Sequence, residues 1–236
     1  MNADKEIDIQ RRHFAGIAEK YQSEYVPQGD EHFLALSFLV AAIDYLEFES
    51  VLDIGSGTGR AISYIKQRLP RLRIVGIEPV GEMREVGYKQ GIQQDELIDG
   101  DATNIAFGAG EFDVVCEFGV LHHIKEPSVA VTEMLRVARK AIFISDGNNF
   151  GEGPPLGRTL KQIINSLGLW KVADYLNTRG KGYRISEDGL SYSYSVYNDY
   201  DLIRSHCKNV YILNTKDAGK NPYRSASHIA LLGIKK

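Results

Sequence analysis

The chain has little from which to build covalent or metal staples: its 236 residues include only two cysteines, Cys116 and Cys207, and one tryptophan. The cysteines lie far apart and outside any metal-ligand spacing, which argues against a disulfide framework and favours a reducing compartment. No apolar run approaches the roughly 20 residues that a membrane helix needs. The opening stretch "MNADKEIDIQRRH" is charged where a signal peptide would be apolar. A cytoplasmic location without a membrane partner is therefore expected. The net charge of −3 is not that of a strongly basic nucleic-acid binder, and no appended binding domain is visible, so no nucleic-acid partner is expected. Internal repeats and low-complexity tracts are absent.

What is present is a chain long enough for one α/β domain with a sizeable core. Its charge is unevenly spread. Residues 1–157 carry 15 Lys/Arg against 25 Asp/Glu, whereas residues 158–236 carry 13 against 6. Such a split suits a second part that faces an anionic partner or the acidic first part, and it suits two differently solvated surfaces equally.

Residues 1–48 read as two helices, interrupted at Pro27-Gln28-Gly29. From residue 50 short strands alternate with helices. Strands are expected at 50–54, 72–78, 97–101, 112–118 and 140–146, and helices at 58–69, 82–90 and 128–139. Strands apolar on both faces and joined by helices indicate a doubly wound, mostly parallel sheet in an α/β fold, with helices on both faces. Residues 147–158 are a loop by composition, followed by a helical stretch at 159–178 and a hairpin at 183–195 turning at Asp188-Gly189. A short helix (198–207) and two strands (209–215 and 227–235) close the chain, the strands pairing antiparallel at the sheet's C-terminal edge. The expected division is 1–48 as N-terminal helices capping a cofactor site, 49–147 as a cofactor-binding core, 148–196 as a lid-like insertion, and 197–236 as the end of the sheet.

The segment "VLDIGSGTGR" (51–60) carries the most chemistry. A sharp turn from strand to helix needs residues that tolerate positive φ and close backbone approach, and the helix N-terminus behind it suits an anionic group. A dinucleotide fingerprint reads G-x-G-x-x-G, but the run here is Gly55-x-Gly57-x-Gly59 with Arg60 in the sixth place. Asp53, two residues before the first glycine, would oppose a pyrophosphate and suits a ligand's ammonium group, directly or through water. A P-loop is excluded, because no Lys-Ser/Thr follows.

In order along the chain, these features resemble the class I S-adenosylmethionine-dependent methyltransferases of the small-molecule type. The resemblance covers about residues 14–146 and implies a Rossmann-like sheet and S-adenosyl-L-methionine as cofactor. "VLDIGSGTGR" is similar to the family's first motif, placing Asp53, Gly55, Ser56 and Gly57 at the cofactor. Glu78, ending the second strand, would hold the ribose hydroxyls; Pro79 and Met83 would cover the adenine. Asp101 would accept from the adenine amino group and Ala102 would offer a backbone N–H. "FDVVCEFGVLHHI" (112–124) is similar to the fourth-strand motif, placing Glu117 beside the methionine part.

Methyl transfer from a sulfonium is an in-line displacement, and a base is needed only if the acceptor must lose a proton. His122 and His123 are the base candidates, with Asp146, Asn148 and Asn149 facing the same crevice. No metal site is expected. The expected acceptor is an oxygen or nitrogen of a small molecule. Six Lys/Arg between 158 and 184 would suit an anionic one, and Tyr192 and Tyr194 would suit an aromatic one; a solvated helix and ordinary edge tyrosines explain both features as well. A nicotinamide-dependent oxidoreductase and a non-catalytic S-adenosylmethionine-binding protein remain alternatives. The oligomeric state is open.

Overall fold

The computed structural model describes residues 3–24, 29–186, 189–216 and 219–236. Two helices, α1 (Ala3–Glu24) and α2 (Glu31–Tyr45), lead into β1 (Ser50–Ile54), α3 (Arg60–Arg68), β2 (Arg73–Ile77), α4 (Gly81–Lys89) and β3 (Leu97–Ile98). The chain continues through β4 (Phe112–Phe118), α5 (Pro127–Val137) and β5 (Ala138–Gly147). Beyond these lie α6 (Pro155–Ser166), α7 (Trp170–Asn177), the hairpin β6 (Arg184–Ser186) and β7 (Gly189–Ser191), α8 (Tyr200–His206), β8 (Cys207–Lys216), α9 (Pro222–Ser225) and β9 (His228–Lys235).

Seven strands form one sheet in the order β3-β2-β1-β4-β5-β9-β8. The pairs from β3 to β5 are parallel. β9 runs antiparallel both to β5 and to β8, so the antiparallel strand is one place inside the edge. Burial on both faces follows from the alternation of side chains. Leu52, Ile54, Val115, Ile142 and Ile144 pack with α5 through Val131, Met134 and Leu135. Val51, Val114, Cys116, Ala141 and Phe143 pack on the other face with Leu36 and Leu39 of α2 and Ile62 and Ile65 of α3.

The expected elements shift in four places. β3 is two residues long, and Asp101 lies beyond it in an isolated bridge to Asn104. α3 begins at Arg60 because Gly59 holds φ +83, outside the helical range. The stretch 159–178 is two helices, separated where Gly168 takes φ +71. Among the described residues of the 183–195 stretch, the hairpin pairing runs only between Arg184–Ser186 and Gly189–Ser191. The breaks placed at Pro27-Gln28 and at Asp188 lie outside the described residues.

A buried carboxylate ties the bottom of the sheet together. Asp113 of β4 accepts from the Glu49 amide at 2.8 Å, ahead of β1, and from Arg139 Nε of β5 at 2.8 Å. Burial alone would raise its pKa, but these hydrogen bonds and the Lys140 ammonium hold it below its ordinary value. The stabilisation is therefore present above the unfolded-chain value of 3.8 and lost as pH falls through the folded one. Asp113→Ala should lower stability by about 2 kcal/mol at neutral pH, with the gap to the parent narrowing on acidification. Urea denaturation at several pH values measures both.

Candidate active site

The parallel strands end at one edge of the sheet, and there the loops enclose a cleft of about 810 Å³. Gly55, Gly57, Glu78, Pro79, Met83, Asp101 and Ala102 line one side. Phe14 and Tyr21 of α1 join them. His32, Phe118, Gly119, His122, His123, Tyr192, Lys216 and His228 surround the other.

The glycine loop owes its shape to its neighbours. Gly55 and Gly57 both take positive φ, +63 and +57. A Cβ on Gly55 would stand 2.4 Å from Val120 Cγ2, whereas on Gly57 it would meet only Met83 Cε at 3.4 Å and Tyr21 at 3.7 Å. Gly57 thus presents bare backbone to the cleft. Glu78 holds the loop in place, accepting from the amides of Gly57 at 3.0 Å and Val80 at 2.9 Å. Its burial raises its pKa. Two accepted bonds leave a carboxylate further lone pairs for a ligand. Asp101 takes the Thr103 amide at 2.8 Å and hydroxyl at 2.6 Å on Oδ1, while Oδ2 faces Arg11 at 3.7 Å.

Three of the expected cofactor residues are absent from the wall. Asp53 is buried behind the loop, accepting from the Ser56 hydroxyl at 2.6 Å and facing the Cys116 thiol at 3.7 Å. Ser56 is turned to that carboxylate and does not reach the cleft. Glu117 is wholly buried, taking the amides of Val120 at 2.8 Å and Ser145 at 2.9 Å. It holds the loop after β4 against β5. Arg60 reaches back to Asp30 at 2.7 Å, the residue that caps α2.

At the other side, His122 Nδ1 lies 2.8 Å from Asp146 Oδ1, and its amide donates to Oδ2 at 3.2 Å. Burial works to raise the Asp146 pKa, but the His122 ring and its hydrogen bond outweigh it and hold the carboxyl well down. Burial and the neighbouring Asp146 charge push Glu117 in the opposite direction. The two carboxyls are thus shifted in opposite directions, Asp146 down and Glu117 up. His123 Nδ1 meets the Leu190 carbonyl at 2.8 Å, and its ring packs edge-on against Phe14.

Sequence reasoning missed His32 and His228. Their rings meet edge-on at 4.6 Å; His32 Nδ1 lies 3.1 Å from the Ser145 hydroxyl, and His228 Nε2 is buried with no hydrogen-bond partner. Burial, then His228 and Arg60, pull His32 down to about 3, so it is neutral. The register Gly147↔His228 brings the start of β9 to the end of β5, and that strand pairing was the signal available. Tyr192 lines the cleft, but Tyr194 is buried with its hydroxyl on Asp199 at 3.1 Å. Asn148 does not face the cleft: its amide donates to the Pro222, Tyr223 and Ala226 carbonyls. Asn149 binds the Ser193 hydroxyl. No group of three or more His, Cys, Asp or Glu among the described residues could hold a metal ion, and no helix there is long and apolar enough to cross a membrane.

Residues 52–144 match the family model described as "Methyltransferase domain". This segment is a methyltransferase domain. The domain's sequence is 36% identical over 67 residues to a demethylmenaquinone methyltransferase of Thermotoga maritima, covering 28% of this chain and 29% of that protein. The chain spans less than half the length of the first curated relatives it matches. Among solved structures, a Thermotoga maritima protein described as a SAM-dependent methyltransferase and possible histamine N-methyltransferase superposes with a TM-score of 0.60 at 19% identity, over 95% of this chain and 99% of that one. A Burkholderia thailandensis 1,6-didemethyltoxoflavin-N1-methyltransferase, solved with bound 1,6-didemethyltoxoflavin and S-adenosylhomocysteine, gives 0.61 at 14% identity over 100% and 91%. The methyltransferase fold therefore extends over nearly the whole chain.

Asp53 offers a test of this burial pattern. Desolvation raises its pKa from 3.8 to about 7, so the folded state binds this proton more tightly than the unfolded chain. Its contribution to stability falls as pH rises between those values. Asp53→Asn, which cannot ionise, should lose less of its denaturant midpoint than the parent between about pH 4 and 7. Identical pH profiles would place the carboxylate in water.

Proposed function

We propose that this protein binds S-adenosylmethionine and transfers its methyl group to an oxygen or nitrogen of a small molecule. One observation carries the reading. A single cleft has a glycine loop and two carboxylates at successive strand ends on one side, and on the other His122, held from behind by the buried Asp146. The residues present fit the cofactor: Gly57 exposes open backbone, Glu78 retains lone pairs, and the cavity is of small-ligand size. The names of the relatives support the same reading.

Glu78 would hold the ribose hydroxyls, and Asp101 with the Ala102 amide would hold the adenine. Pro79 and Met83 would lie against its ring, and α1 would cover it through Phe14 and Tyr21. Asp53, Ser56 and Glu117 would act at one remove, by setting the loops. When bound, S-adenosylmethionine supplies an electrophilic methyl group on a sulfonium. A proton on His122 Nδ1, directed at Asp146, leaves the basic lone pair on Nε2. His122 would then take the acceptor's proton, with Asp146 fixing its tautomer and stabilising the imidazolium. His123 would shape the floor of the same region. Holding an acceptor in line is worth on the order of 7–11 kcal/mol.

Glu78→Ala and Asp101→Ala should each weaken S-adenosylmethionine binding by about 1–3 kcal/mol in isothermal titration, the usual cost of an unpaired polar group. Unchanged affinity in both variants would place the cofactor elsewhere. His122→Ala should leave that affinity intact and slow labelled methyl transfer into a metabolite extract by about 10²–10⁴-fold.

A further inference from the structure

The two helices between β5 and the small hairpin are built inside out. A surface helix normally turns its apolar stripe to the core. In α6 the reverse holds. Gln162 is buried, donating to the Phe150 carbonyl at 2.8 Å and accepting from Arg224 Nε at 3.1 Å. Asn165 reaches the Tyr223 hydroxyl at 3.2 Å, and the Lys161 ammonium sits on the Asn149 carbonyl. The opposite face, with Leu156, Leu160 and Ile163 at helical spacing and Leu167 just beyond, is 51–84% exposed. In α7 the buried residues are likewise polar. Asp174 pairs with Arg184 at 2.7 Å and Thr178 bonds back to the Asp174 carbonyl at 2.8 Å. Val172, Tyr175 and Leu176 are 57–70% exposed.

A run of large apolar side chains facing water on adjoining helices calls for an occupant. The cleft is not served by it, since Tyr192 is the residue of 148–196 that lines the cleft among the described residues. The charges beside the patch select the partner. Lys171, Arg179 and Lys181 are exposed on and just after α7, while Asp174, the one acid in 153–186, is buried. A two-fold contact with a second copy would set these cations against themselves. Leucines with a cationic rim are the composition that lies in a bilayer interface.

We propose that the α6–α7 pair docks this protein on an anionic lipid surface, its leucines entering the headgroup boundary and its cations meeting lipid phosphates. The inference is independent of the cofactor assignment. Sedimentation with vesicles of phosphatidylcholine alone, and with roughly a third phosphatidylglycerol, tests it at low and high salt. Binding should favour the anionic vesicles and weaken in salt. Leu156→Ser/Leu160→Ser/Leu176→Ser and, separately, Lys171→Glu/Lys181→Glu should each reduce it about tenfold or more while keeping the parent's thermal midpoint. These changes touch exposed side chains only. Absence of binding to either vesicle, equal binding to both, or variants that bind like the parent would overturn the proposal. So would a dimer that the serine variant dissociates in a protein that ignores vesicles.

Discussion

Everything at the functional edge depends on how the ends of parallel strands are satisfied. Each strand stops at the same edge of the sheet and hands over to a loop whose amides have lost their ladder partners. Acidic side chains take up that role one after another. Asp53 holds the Ser56 hydroxyl, Glu78 the amides of Gly57 and Val80, Asp101 that of Thr103, Glu117 those of Val120 and Ser145, and Asp146 that of His122. The row of carboxylates is the frame on which the cleft is stretched.

The same row explains why the carboxylates divide between frame and wall. Asp53 and Glu117 spend their oxygens on the protein's own donors in full burial, and desolvation raises their pKa values. Glu78 and Asp101 serve loops too, but they also border the cavity. Asp146 stays ionised because the His122 ring offsets its burial. That single pairing orients the histidine and connects the sheet's electrostatics to the acceptor side of the cleft.

Much of this was legible in order along the chain. The alternation of apolar strands with helices, and the acids closing successive strands, needs only local spacing. What escaped was placement in depth. Nothing in "VLDIGSGTGR" says that Ser56 turns back to Asp53 instead of outward, or that Glu117 lies beneath the cleft floor. Both depend on which donor meets which carboxylate within 3 Å, the Ser56 hydroxyl on Asp53 and the Val120 amide on Glu117. The helical stretch at 159–178 was readable as helix, but its reversed faces were not, because helical periodicity gives a stripe without saying which side the body occupies.

The sequence by itself determined the class of fold and the edge at which the site lies, since strand polarity and glycine turns are local properties. Only the tertiary structure decided which acids face the cavity, and that His32 and His228 stand together there. Those two histidines are brought to one wall by α2 packing on the sheet and by β9 pairing antiparallel with β5. Contacts between residues so distant in the chain are set by packing and register, which no local pattern encodes.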